Sequence, residues 1–385
     1  MDITGGTDAS TIISDGKVIA QNTIQQARLS IDNGATLETD ANNLVDIGWF
    51  FNQGNLNLTG GTLSSKVFGN GTTNIESGIV NITKDITQNI INVKSGATLA
   101  SNTAGVEIKA DGTNGNLIND GTINITGANS RFGADHLTNN ATINITGANS
   151  LLETSTLTNN GTIDTVSLLS NSLNNNGNIT TSGGIEAIIQ NNEGGSITFN
   201  GDAKKLMELT NSGTVNFNGG LSETGSIIRL TQNDGVMNFS TVAINSTINH
   251  PINTFTMNGG LVNIADGSVN TLHINQLNLT GNTNFAMDAD LAAENMDKIQ
   301  IHDVANSIIT EGKVININKI NLLSDATQEK INLMFSHINS TARENLGGKT
   351  PYEIFTFIYG EETANKLGIQ KINKDEVVLK PHLLK

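Results

Sequence analysis

Thr122-Ile-Asn-Ile125 alternates polar and apolar residues, so Ile123 and Ile125 point to one side of an extended chain and Thr122 and Asn124 to the other. The stretch that carries it, Asn119-Asp-Gly-Thr-Ile-Asn-Ile-Thr-Gly-Ala-Asn-Ser130, returns after 20 residues as Asn139-Asn-Ala-Thr-Ile-Asn-Ile-Thr-Gly-Ala-Asn-Ser150. Asn159-Asn-Gly-Thr-Ile-Asp164 follows after another 20. Looser copies lie on both sides: Asp32-Asn-Gly-Ala-Thr-Leu37, Gln53-Gly-Asn-Leu-Asn-Leu58 and Ser77-Gly-Ile-Val-Asn-Ile82 before, Ser212-Gly-Thr-Val-Asn-Phe217, Asp234-Gly-Val-Met-Asn-Phe239 and Asn258-Gly-Gly-Leu-Val-Asn-Ile264 after. Each unit is a turn signal, a few alternating positions and another turn. Asn-Gly and Asp-Gly tolerate positive φ and so turn the chain.

A strand of four or five residues cannot bury its apolar face alone. Stacking the units, each strand paired with its equivalent one repeat later, solves the problem. Steps of roughly 16 to 25 residues suit one coil of a parallel β-helix; propeller blades of about 40 residues and helical repeats of about 33 are too long, and the period is 2 rather than 3.6. The pattern predicts an all-β, right-handed parallel β-helix over residues 10–320, of which residues 10–280 would form roughly 13 coils with a rise of about 4.8 Å each and a length of about 65 Å. Ile123, Ile125, Ile143, Ile145 and Ile163 should stack inside, with Asn and Thr stacking outside or at the turns.

Composition narrows the class. Among 385 residues there are 40 Gly, no Cys, and 36 acidic against 21 basic residues, a formal charge of −15. No Cys means no disulfide framework and no thiolate chemistry. The negative charge argues against nucleic acid as a partner, and no apolar run is long enough for a membrane-spanning helix. Residues 325–385 hold eight basic and eight acidic residues, so all the excess charge lies upstream. This shift sets a domain boundary near Ser324: a repeat domain, 1–323, and a small α-helical C-terminal tail, 324–385. In the tail, Asp325 with Gln328 marks a helix start, and Ile331, Met334, Phe335 and Ile338 form one apolar stripe. Thr350-Pro-Tyr-Glu353 marks a second start, and Gly360 and Gly368 are stops.

The Asn-Gly-Thr-Ile-Asn-Ile-Thr-Gly units, with Gly60-Gly-Thr-Leu63, Ser95-Gly-Ala-Thr-Leu99 and the stretch from Asn284 to Leu323, resemble the passenger regions of bacterial autotransporter-type adhesins. That resemblance implies export, a cell-surface or extracellular site, and adhesion to host-cell or matrix ligands or cell-surface glycans. Two features depart from it: Met1-Asp-Ile-Thr lacks the basic start and apolar core of a signal peptide, and no translocator barrel is expected after residue 324. Leu346-Gly-Gly-Lys-Thr-Pro-Tyr-Glu353, Lys366-Leu-Gly-Ile-Gln-Lys-Ile372 and Asp375-Glu-Val-Val-Leu-Lys-Pro-His-Leu-Leu-Lys385 resemble the C-terminus of insertion-sequence transposases. The carboxylates that hold metal in such enzymes lie upstream of this region, so no catalytic residue carries over. A transposase remnant fused to a surface-protein segment is the expectation, and it would cover the open end of the rod or hang from it as an appendage.

No catalytic, cofactor-binding or metal-ligating residue is predicted. Asp288, Asp290, Glu294 and Asp297 are the densest acidic cluster, read as a solvated loop because calcium-binding nonapeptide and EF-hand patterns are absent. His136, His250, His273, His302, His337 and His382 are scattered, without His-Glu-x-x-His. Trp49-Phe-Phe51 is the one aromatic cluster, and packing at the rod's N-terminal end is favoured over a binding patch. Two functions follow: a non-enzymatic, adhesin-like surface protein, which is preferred, or a β-helical polysaccharide lyase or hydrolase. The second needs carboxylates converging from adjacent coils, whereas Asp32, Asp120 and Asp234 sit at turns.

Overall fold

The computed structural model describes residues 9–40, 43–112, 114–203, 206–221, 228–248, 252–290, 293–322 and 328–377. The chain winds into a parallel β-solenoid of about 13 turns followed by short helices. Three parallel ladders run along it. The first starts at Lys17–Ala20, which pairs with Thr36–Thr39 and then Asn55–Leu58, and ends at Ile308–Ile309. The second passes through Thr98–Ser101, Thr122–Ile125, Thr142–Ile145 and Thr162–Thr165. The third starts at Ser10–Ile13 and passes through Ile86–Gln88 and Glu107–Ala110. Long strands such as Arg131–Asn139 turn a corner, lying in the third ladder over 131–134 and in the first over 136–139.

The expected register holds: Ile123, Ile143 and Ile163 are direct partners on successive coils, and Ile125 and Ile145 likewise. All five are buried. Further along, Phe199, Phe217 and Phe239 stack with ring centroids 5.1 Å apart, close to the spacing of neighbouring strands. Stacking identical shapes at strand spacing fills the interior without the irregular interlocking a globular core needs.

The asparagines differ from expectation. Asn119, Asn139, Asn159, Asn175, Asn191 and Asn211 are wholly buried. Each donates its side-chain amide to the next one's Oδ1 at 2.7 or 2.8 Å, and Asn211 closes the series on Gln232 at 3.0 Å. The same amides also reach turn carbonyls, as Asn159 reaches those of Gly161 and Asn178. The ladder is inside because a turn buries its own carbonyls, and only an inward amide can satisfy them. A second ladder, Asp120–Asn140–Asn160–Asn176–Asn192, runs exposed at the turns as expected.

The turn glycines of the 20-residue repeats serve close approach rather than positive φ. A Cβ on Gly161 would lie 2.0 Å from the Ala141 carbonyl oxygen one coil below. Positive φ falls instead on Asn129 and Asn149, both at 57°.

Four helices are described: α1, Thr241–Ser246, within the solenoid, and α2, Gln328–Asn339, α3, Pro351–Tyr359, and α4, Glu361–Lys366, in the tail. Thr350 and Glu353 form the predicted capping box, and α3 ends at Gly360. Asp325 and Ser324 lie outside the described residues. The predicted stripe of α2 is only half-buried, and its Phe335 is exposed. The buried positions are Ser336, His337 and Ser340. Ser336 and Ser340 accept the backbone N–H groups of Gln370 and Ile372 at 2.9 Å each, strapping the last described segment across the helix. The described part of the tail leaves Ile309, Ile315, Ile317, Ile320 and Leu322 of the last coil exposed.

Candidate binding surface on the outer wall

The strand Leu44–Asn52 puts Val45, Ile47, Phe50 and Asn52 into the interior. The alternation then forces Trp49 and Phe51 outward. One coil on, Phe51 is paired with Phe68, which also points outward while Val67 is buried. The three outward rings form one cluster. Trp49 meets Phe68 edge-on at 4.8 Å, and Phe51 lies 5.5 Å from each of the other two. Trp49 remains 46% exposed. The expected packing at the rod's end is therefore corrected: only Phe50 packs, and the other two build a surface platform with Phe68. The alternation shifts phase at residues 48–49 and resumes with Phe50 and Asn52 inside, while Phe68 is 17 residues from Phe51 and only the register joins the two.

Polar groups flank the rings. Arg28 is the register partner of Trp49 and is exposed. Lys66, two residues before Phe68, pairs with Asp85 at 3.2 Å. Elsewhere some surface rows are amides. Asn57, Asn74 and Asn92 are linked at 2.8 Å along one outer face, and Asn216, Asn238 and Asn263 along another.

Carboxylates gather differently than the sequence suggests. Asp288 and Asp297 are buried. Asp288 Oδ2 accepts the backbone N–H groups of Asp266, Gly267 and Ser268 at 2.7, 2.7 and 3.1 Å, and its Oδ1 accepts the Asn321 amide. Asp297 accepts from the backbones of Asp288 and Asn270 at 2.6 and 2.7 Å. Burial pushes the Asp297 carboxyl above its ordinary range, against the pull of these hydrogen bonds. The pair is a structural clamp on the 266–270 loop rather than part of a solvated loop; Glu294 is exposed, and Asp290 accepts from the Ala293 N–H. Among the described residues no three His, Asp or Glu side chains converge as a metal site would require.

Two charged features lie on the solenoid wall. Around Gly133, Glu107, Lys109, Arg131 and Glu153 line a small cleft, with Arg131 Nη1 3.9 Å from Glu153. A shallow groove between Asn174, Gln190 and Glu208 brings in one carboxylate. The histidines are not all scattered: His273 Nδ1 lies 3.0 Å from His302 Nε2, because a coil of 29 residues returns one beside the other. Partial burial and the neighbouring His302 hold the His273 pKa below its ordinary value. His250 and His382 lie outside the described residues.

No protein family, curated protein or solved structure matches this chain.

Proposed function

We propose that this chain is a non-enzymatic, adhesin-like β-helical protein of a bacterial cell surface or its surroundings, and that it binds glycans through Trp49, Phe51 and Phe68. The observation that carries the reading is the cluster of three outward aromatic rings on the solenoid wall, with Trp49 46% exposed. A polar residue at each position, as Arg28, Ser30 and Thr87 are on neighbouring coils, would cost the interior nothing. Three clustered rings present apolar area to water, and a sugar's C–H face can cover it while Arg28, Lys66 and Asp85 address its hydroxyls. The solenoid's rigidity holds these groups in a fixed array, which lowers the ordering cost of binding. Cell-surface or extracellular location rests on the resemblance of the repeats to autotransporter passengers. The tail fits a transposase remnant without transposase chemistry: it is neutral, and its acids sit at helix starts, as Glu353 does in its capping box.

The test is binding to immobilised bacterial, host and matrix glycans by the intact chain and by Trp49→Ala with Phe68→Ala. At least a tenfold loss in the double variant, with unchanged circular dichroism, supports the reading. Equal binding by both proteins, or cleavage of the polysaccharide, contradicts it.

A further inference from the structure

Among the described residues, the last strand of the second ladder, Ile315–Leu322, has one bonded edge and one open edge. It pairs with Thr283–Asp290 beneath it, and the register slips between Phe285 and Ala286, so that Phe285 faces Ile317 and Ala286 faces Lys319. Asn318 is therefore a bulge that resets the alternation. Thr283, Phe285, Met287 and Ala289, all buried, are the partners of Ile315, Ile317, Ile320 and Leu322. Those four side chains consequently share the interior face, on both sides of the bulge. One coil down, Phe285 and Met287 are 0% and 7% exposed; Ile317 and Ile320 are 49% and 50% exposed. At the opposite end, by contrast, Ile13 and Ala20 of the first strands have their inward side chains buried. The two ends therefore differ, with the inward apolar side chains uncovered at the C-terminal one.

Its sequence is complementary to itself. Ile-Asn-Ile-Asn-Lys-Ile-Asn-Leu reads the same in polarity from either end about the bulge. Two copies of the strand laid antiparallel about a two-fold axis set Ile317 opposite Ile320, Ile315 opposite Leu322, and Asn316 opposite Asn321. The bulge is what allows this, because it places residues 317 and 320 on one face, as directly opposed residues of an antiparallel pair must be. A two-fold contact uses one patch on both subunits, and this patch matches itself.

We infer that the open end of the solenoid is a homodimer interface, in which Ile315–Leu322 of two copies pair antiparallel and join the two interiors end to end. The occupant is a second copy of this chain. The contact continues the strand-on-strand stacking that holds every earlier coil, and it removes an eight-residue apolar edge from water.

The chain has no cysteine, so introduced thiols report cleanly. Ile317→Cys and Ile320→Cys are made separately, both at sites exposed in the single chain. Under mild oxidation the mixed proteins should form a disulfide-linked dimer in much higher yield than either alone, since Ile317 of one copy faces Ile320 of the other. Sedimentation of the unmodified full chain at tens of micromolar should give twice the mass of the chain. Ile317→Lys with Ile320→Lys should give a monomer with unchanged circular dichroism. A monomeric unmodified chain, or cross-linking equally efficient in the single and mixed samples, overturns the inference.

Discussion

Asn159 donates to Asn175 Oδ1 at 2.8 Å although only 16 residues separate them, whereas Asn139 reaches Asn159 at the same distance across 20. The missing four residues are removed from the turn between the second and third ladders, so that 162–165 runs directly into 167–175. The inward amide at the corner of the first ladder keeps its place. Coil length is therefore free to vary, while the corner is fixed by the carbonyls it must satisfy.

Replacing Asn159 by Ala should then cost about 3 kcal/mol, because Asn175 Oδ1 and two turn carbonyls lose a buried donor. Asn160→Ala, one position along on the exposed ladder, should cost less than about 1 kcal/mol. Urea unfolding of the two variants gives the comparison. Equal midpoints would mean that the inner ladder follows from the fold rather than holding it.

The repeats were readable because Ile123, Ile143 and Ile163 obey period 2 within a strand and a constant step between strands. What the chain alone could not show was which asparagines turn inward. Asn119 and Asp120 are adjacent and both polar; only the closed coil distinguishes the buried one from the exposed one. The aromatic platform was half-legible, since alternation separates Phe50 from Trp49 and Phe51, but Phe68 required the register. Asp288, Asp297 and the His273–His302 pair depend on coils of irregular length near the C-terminal end, where the repeat no longer predicts which residues meet.

Asp288→Ala should loosen the 266–268 loop, whose three N–H groups all point at one carboxylate oxygen. Loss of that acceptor costs about 2 to 3 kcal/mol locally, so exchange of these amides should speed by about 30- to 150-fold. Hydrogen exchange resolved to single amides checks this, with the 119–191 coils as an unaffected control. No change at Asp266, Gly267 and Ser268 would contradict the clamp.

His273 should titrate below the ordinary histidine value, and His302→Ala should move it back upward by removing the neighbouring imidazolium. A lowered folded-state pKa favours the neutral ring in the fold. The stability it contributes is present above the unfolded value and is lost as pH falls through the folded one. Acidification from pH 7 towards 5 should therefore weaken the pairing of Thr271–Leu279 with Lys298–Ile301 before the central coils. Imidazole proton shifts followed by NMR give both signs; an upward shift of His273 would be inconsistent with this arrangement.

Trp49 is the sole tryptophan, so emission excited selectively at tryptophan, away from Tyr352 and Tyr359, reports on the platform alone. Titrating the intact chain with the oligosaccharide it captures should shift this emission to the blue and saturate, because a sugar stacked on a 46%-exposed indole excludes water from it. Phe68→Ala should weaken the transition at least tenfold. Binding that saturates by calorimetry while the Trp49 emission stays unchanged would place the ligand elsewhere on the rod and contradict the account.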